Sequence, residues 1–109
     1  MEGLLRLARK AGRIVVGVAL TRDSVRAGRV HAVWIADDLL EKRSQALTER
    51  WRPSGIAIYR GWTKEELGDL AGKAAVAVLS VTDPNIAAGI SQILAAAESS
   101  EQERQRGEN

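Results

Sequence analysis

Apolar residues change their spacing along this chain in a regular way. Some segments place them at every third or fourth position, which is typical of amphipathic helices, and others form short continuous runs, which are typical of buried strands. The two patterns alternate from one end of the chain to the other. The predicted helices are residues 3–13, 18–27, 38–51, 63–72 and 84–97, and the predicted strands are residues 14–16, 31–36, 56–59 and 74–81.

The helical spacing also predicts which face of each helix points toward the core. The residues predicted to point inward are Leu4, Leu7, Ala8 and Ala11 in the first helix, Leu20, Thr21, Ser24 and Val25 in the second, Leu39, Ala46, Leu47 and Trp51 in the third, and Ile86, Ile90, Ile93 and Leu94 in the fifth.

Three helix starts have recognisable capping signals. Thr63 followed by Glu66 forms a capping box, and Trp62 is placed to pack onto the helix as a hydrophobic staple. The pair Asp83-Pro84 combines a capping carboxylate with a proline suited to the first helical position. Asp38 with Glu41 three residues later predicts a similar start for the third helix.

The alternation of helices and strands indicates an α/β fold. We predict a three-layer α/β/α sandwich around a four-stranded mixed sheet, because such elements bury their apolar faces by stacking in layers. The predicted single domain covers residues 1–97. Residues 98–109 contain no apolar residue, which predicts a polar, disordered tail.

Composition narrows the possible functions. The chain has no cysteine and one histidine, His31, so no disulfide framework, thiolate metal site or metal-binding histidine pair is expected. Phosphate-loop, dinucleotide-binding and serine-hydrolase motifs are missing from the sequence. We therefore predict a non-enzymatic protein without catalytic residues, metal or cofactor. No apolar run reaches the ~18 residues that span a bilayer, and no signal-peptide pattern opens the chain, so a cytoplasmic location is expected.

Charge is distributed unevenly although the formal net charge is only +2. Residues 1–30 contain seven lysines and arginines against two acidic residues. Arg22 and Arg26 share one face of the second helix, and Arg29 follows it. A helix start after Gly17, beside basic side chains, favours binding of an anion. An ordinary solvated helix face explains the same arginines and stays open as an alternative.

Several stretches together resemble a known protein family. They are the run from Leu4 to Gly12, the spacing between Gly17 and Gly28, the strand end Val33 to Asp37, the helix start Thr63 to Gly68, and the run from Val78 to Asp83. In order and spacing they resemble the large-subunit ribosomal protein superfamily of the seven-Ae and thirty-e types. The small bacterial YlxQ-type proteins are the most similar members.

The resemblance implies a sandwich that binds structured RNA, typically a kink-turn. In this family RNA meets the start of the second helix, a lysine near the start of the fourth helix, and the loop after the fourth helix. Phosphate contacts from the arginines of the second helix would add to these. The RNA-binding residues predicted in this way are Gly17, Val18, Ala19, Arg22, Arg26, Arg29, Lys64, Lys73, Ala74, Ala75 and Val76.

The sequence departs from the family pattern inside the second helix. After Gly17 the family places Asn, Glu and Lys where this chain has Ala19, Leu20 and Asp23. The family's Asn and Glu bind base edges and its Lys binds phosphate, and these replacements can do neither. Because base contacts give specificity and phosphate contacts give position, we predict RNA binding with altered kink-turn specificity.

Three functions are compatible with these observations. The first is an RNA-binding protein associated with the ribosome or with translation, with structured, ribosomal-type RNA as its partner. The second is a protein-interaction module that kept the fold and lost the RNA site, with Ala19 and Leu20 in an apolar contact surface. The third is a substrate-recognition domain like those fused to RNA methyltransferases, which the absence of a catalytic domain in this short chain disfavours. The oligomeric state is left open.

Overall fold

The computed structural model describes the backbone of residues 1–107 and the side chains of residues 1–97. Within that part, five helices and four strands alternate as predicted, with one short 3-10 helix at Arg52–Ser54. The helices are α1 (Glu2–Lys10), α2 (Val18–Arg26), α3 (Glu41–Trp51), α4 (Lys64–Ala71) and α5 (Pro84–Gly107), and the strands are β1 (Ile14–Val16), β2 (Ala32–Ile35), β3 (Ala57–Tyr59) and β4 (Val78–Val81).

The four strands form one mixed sheet in the order β1-β4-β2-β3. β2 pairs with β3 in parallel, whereas β4 runs antiparallel to both of its neighbours, β1 and β2. Every residue of the two central strands, β2 and β4, is buried. Their continuous apolar sequence is explained by this position, because both faces of a central strand are covered.

Helices cover both faces of the sheet and complete the predicted sandwich. On one face, Leu5 of α1, Leu67 of α4 and Ile90 of α5 pack in one apolar cluster. On the other face, Leu47 and Trp51 of α3 pack with partly buried residues of α2 in a second cluster. β2 alternates between the two clusters along its length, as the two-residue period of a strand requires.

The predicted inward faces are partly wrong. In α1 the buried residues are Leu5 and Ala8, while Leu7 is 53% exposed. The helix ends at Lys10, so Ala11 lies beyond its last turn and cannot extend the inward stripe. Leu20 in α2 is 60% exposed because Thr21 occupies the inward position, fully buried and in contact with Ser80.

The same error occurs at the surface of two other helices. In α3, Leu47 and Trp51 are buried as predicted and Leu39 is half-buried, but Ala46 is exposed. In α5, Ile93 is 41% exposed, whereas Ile90 is fully buried. Each of these exposed residues lies at the edge of its predicted stripe.

The predicted capping box of α4 is confirmed. The backbone N–H of Glu66 donates to Thr63 Oγ1 at 3.1 Å, and the N–H of Thr63 donates to Glu66 Oε1 at 3.0 Å. Asp83 also caps as predicted, since its Oδ1 accepts from the N–H groups of Asn85 and Ile86. These two helix starts are determined by residues that are close in sequence.

The predicted start of α3 is wrong. This helix begins at Glu41 without a side-chain cap. Asp38 instead accepts a hydrogen bond from the backbone N–H of Lys64, with an N···O distance of 2.9 Å, and so caps the start of α4. The reason is topological: the segment after β2 lies beside the segment after the parallel strand β3.

α5 continues to Gly107, past residue 97, where the sequence predicts the end of the domain. The side chains of residues 98–109 lie outside the described residues. The prediction of a polar, disordered tail over 98–109 therefore stays a prediction.

Candidate functional site

One end of the sheet brings together most of the predicted site residues. β1, β2 and β3 end there and the antiparallel β4 begins there, so α2, α4 and the loop after α4 meet at this end. Three backbone hydrogen bonds connect them: Gly17 N–H donates to Val78 O, Ala36 N–H to Ala77 O, and Val76 N–H to Lys64 O, each at 2.9 Å. We call this region, made of the α2 start, the α4 start and residues 72–77, the sheet-end site.

The start of α2 is an open helix N-terminus. Gly17 precedes it with φ 98°, a backbone conformation that favours glycine. No side chain caps this helix, and its first turn contains no acidic residue. The first N–H groups of a helix have no intrahelical acceptor and lie at the positive end of the helix dipole. The α2 start can therefore accept an anion through its backbone.

The start of α4 has the opposite character. Its N–H groups are bonded to Asp38 and to the Thr63 capping box, and its first turn contains Glu65 and Glu66. These carboxylates offset the positive end of the helix dipole. The half-buried Lys64 is the cation that this helix contributes to the sheet-end site. The uncapped backbone donors at this end of the sheet are therefore those of α2 rather than those of α4.

The loop after α4 is held close to the helix by Gly68. A Cβ on Gly68 would lie 2.8 Å from the backbone of Ala74 and from Lys73 O, and the Lys73 N–H donates to Gly68 O at 2.7 Å. This contact presents Lys73, Ala74 and Ala75 at the surface. Val76, in contrast, is only 3% exposed, so its side chain belongs to the core and only its backbone borders the site.

The predicted arginines are not grouped at the sheet-end site. Arg22 lies one turn into α2 and pairs with Asp23 at 3.5 Å. Arg26 is in the last turn, ~12 Å along the helix from its start at a rise of ~1.5 Å per residue. Arg29 lies at the opposite end of the sheet, where it lines a cavity with Arg13 and His31.

Sequence reasoning missed two residues that shape the sheet-end site. Gly68 is a glycine inside a helical pattern, a signal that can indicate close backbone approach. Asp38 gave no such signal, because its partner Lys64 is 26 residues away in sequence.

The described residues contain neither a metal-binding cluster nor a membrane-spanning helix. Across residues 1–97, no group of three or more His, Asp or Glu side chains is arranged to hold a metal ion. In the described part of the chain no helix combines the length and apolar character needed to cross a membrane.

Comparisons with known proteins agree with this architecture. A solved structure of a protein of unknown function from Bacillus halodurans superposes with a TM-score of 0.78 at 22% identity, covering 84% of this chain and 92% of that chain. A 15.5 kD RNA-binding protein from Giardia lamblia superposes with a TM-score of 0.73 at 20% identity, covering 87% of this chain and 84% of that chain. At these identities the similarity shows a shared fold.

The sequence itself gives the family. No curated protein matches the chain. The model of the ribosomal protein L7Ae/L30e/S12e/Gadd45 family, however, matches residues 1–101. This match confirms the resemblance that the sequence motifs predicted, and with it the fold. The chain therefore belongs to the ribosomal protein L7Ae/L30e/S12e/Gadd45 family.

Proposed function

We propose that this protein is a non-enzymatic, cytoplasmic RNA-binding protein that holds structured RNA at the sheet-end site. The observation that supports this most directly is the uncapped start of α2, where Gly17 N–H donates to Val78 O, the residue that follows the loop displaying Lys73. Family membership and the similarity to an RNA-binding protein from Giardia lamblia support the same proposal.

The chemistry of the site favours phosphate over base recognition. Backbone N–H groups of α2 donate to one phosphate, and Lys64 and Lys73 supply positive charge to the same end of the sheet. Ala19 and Leu20, both exposed, offer no hydrogen-bonding side chain for a base edge. The protein then binds the RNA backbone through phosphate contacts, and its kink-turn specificity is altered. We include association with ribosomal RNA in the proposal.

A titration with two labelled RNAs tests this function. One is a kink-turn RNA and the other a straight duplex of equal length, each measured by fluorescence anisotropy between about 50 and 200 mM salt. We expect both to bind, with little preference for the kink-turn and with affinity that falls as salt rises. No binding at the lowest salt, or an affinity independent of salt, contradicts the proposal.

A matched pair of variants locates the binding. Lys73→Ala removes a cation from the sheet-end site, and Lys10→Ala removes one from the last turn of α1, which is not part of that site. Loss of one phosphate contact lowers the magnitude of the log–log salt slope by about 0.7–0.9. We expect this change for Lys73→Ala alone; an equal effect of both variants places the RNA elsewhere.

A second candidate function is supported by two exposed leucines. Leu20 in the first turn of α2 is 60% exposed and Leu40 before α3 is 78% exposed, both in the same helical layer of the sandwich. In this second candidate function, the two leucines contact a second copy of the chain. Sedimentation equilibrium distinguishes this function: a dimer that becomes monomeric in Leu20→Ser/Leu40→Ser, together with no RNA binding, favours it.

A further inference from the structure

Three arginines meet in a groove between α2 and α3, outside the sheet-end site. Arg22 and Arg26 line it from α2, and Arg50 lines it from the last turn of α3. The groove has a volume of about 620 Å³. The side of the groove toward the core is formed by Trp51, which is 1% exposed. Ser54 of the 3-10 helix contributes a hydroxyl group at the surface. The family motif at the start of α2 does not include Arg50 or Ser54.

Within residues 1–97, the positive charge of Arg26 and Arg50 in this groove is not paired with a carboxylate. Across residues 1–97, neither Arg26 nor Arg50 has a carboxylate oxygen within 4.0 Å. Arg22 pairs only with Asp23, at 3.5 Å and with both side chains largely exposed, which is a weak interaction in water. None of the described residues that line the groove is acidic.

Two of the other grooves that contain arginines also contain acids, whereas the cavity of Arg13, Arg29 and His31 at the opposite end of the sheet has no acid among its described lining residues. The groove against α4 combines Arg6 and Lys73 with four carboxylates, and Arg6 pairs with Asp69 at 3.3 Å. The groove on the far side of α3 contains Glu41 and Glu49, and its Arg60 pairs with Glu41 at 3.3 Å. Arg6 and Arg60 in those two grooves are paired with acids, whereas Arg26 and Arg50 between α2 and α3 have no such partner within residues 1–97 and are available to an external anion.

We propose that the groove between α2 and α3 binds the phosphodiester backbone of the same RNA as it leaves the sheet-end site. This inference rests on the proposed function. Arg22 lies one helical turn, ~5 Å, from the α2 start, and Arg26 lies one further turn along, so the charges continue from one site into the other. Guanidinium groups suit this contact because their donors match phosphate oxygens in a bidentate geometry.

A simpler explanation of Arg26 and Arg50 is their position at helix ends. Both lie in the last turn of a helix, where a cation interacts favourably with the helix dipole. That role affects protein stability and is shared by Lys10 in the last turn of α1. If this were the role of Arg50, its removal would change RNA binding no more than the removal of Lys10.

The test compares Arg50→Ala with Lys10→Ala in the full-length protein. Both variants remove one positive charge from the last turn of a helix. Binding of the labelled duplex RNA is titrated between about 50 and 200 mM salt, and circular dichroism verifies folding. We expect Arg50→Ala to lower the magnitude of the salt slope by about 0.7–0.9 and Lys10→Ala to leave it unchanged. Arg26→Ala repeats the test from α2.

The outcomes separate the two proposals. If the parent binds RNA and Lys73→Ala lowers the slope, but Arg50→Ala and Arg26→Ala keep the parental slope, the groove is not a phosphate site while the sheet-end site stands. A parent that binds no RNA at low salt overturns both proposals. If Arg50→Ala and Arg26→Ala each lower the magnitude of the salt slope by as much as Lys73→Ala does, phosphate binding in the groove is supported.

Discussion

Substitution of Gly68 by alanine tests the packing of the loop that displays Lys73. In a helix interior, replacing glycine by alanine normally stabilises by about 1 kcal/mol, because alanine loses less backbone entropy on folding. At Gly68 the new methyl group would lie 2.8 Å from three backbone atoms of Lys73 and Ala74. These atoms cannot rotate away as the end of a side chain can, so the loop must move.

The expected magnitude follows from two opposing effects. Overpacking of this kind costs about 1–3 kcal/mol, and contact with backbone atoms places Gly68→Ala at the upper end of that range. Subtracting the helical gain of about 1 kcal/mol leaves a net destabilisation of about 1–2 kcal/mol. The displaced loop also carries Lys73, so RNA affinity should fall.

Gly89 provides the matched control. It lies inside α5, and a Cβ there would meet only the end of the Leu4 side chain, at 3.4 Å. Gly89→Ala should therefore stabilise the protein by about 0.5–1 kcal/mol and leave RNA binding unchanged. Urea unfolding followed by tryptophan fluorescence measures both variants. A Gly68→Ala protein as stable as Gly89→Ala would refute the close approach of the loop to α4.

Three further predictions concern the sheet-end site. Thr63→Ala removes the capping box and should lower the free energy of unfolding by about 1 kcal/mol in urea, whereas Thr63→Ser should be near neutral; equal stability of both would contradict the cap. Asp38→Ala should cost about 0.5–1.5 kcal/mol in the same assay, since Lys64 N–H loses its acceptor, and no loss would show that this bond is not formed. The triple substitution Ala19→Asn/Leu20→Glu/Asp23→Lys restores the family's polar set, and it should make the kink-turn RNA bind about tenfold or more tightly than the straight duplex; an unchanged preference would show that these positions do not set specificity.

Local signals in the sequence were sufficient for several elements. The Thr63 capping box and the Asp83-Pro84 start use partners within three residues, so their prediction needed no tertiary information. The burial of β2 followed from its continuous apolar run, since only a strand covered on both faces keeps such a sequence. The order and spacing of short motifs also predicted the family, which the family match confirms.

Long-range arrangements could not be predicted in the same way. Leu5 and Leu7 are both apolar residues of α1, and the sequence of the helix does not show which of them is buried. Leu5 is buried because it packs with residues of α4 and α5. Asp38 is next to α3 in sequence but caps α4, because the ends of parallel strands bring these segments together. Arg29 is close to Arg22 in sequence, yet α2 extends along the sheet and carries it to the opposite end.

Site-directed crosslinking tests RNA binding at the sheet-end site most directly. The chain contains no cysteine, so a photoactivatable group can be attached to one introduced thiol. Three exposed alanines accept this change: Ala19 at the α2 start, Ala75 in the loop after α4, and Ala88 on α5 as the control. Labelled Ala19→Cys and Ala75→Cys are predicted to crosslink the kink-turn RNA, and Ala88→Cys is predicted not to. Equal crosslinking from all three positions, or crosslinking from Ala88→Cys alone, would contradict binding at the sheet end.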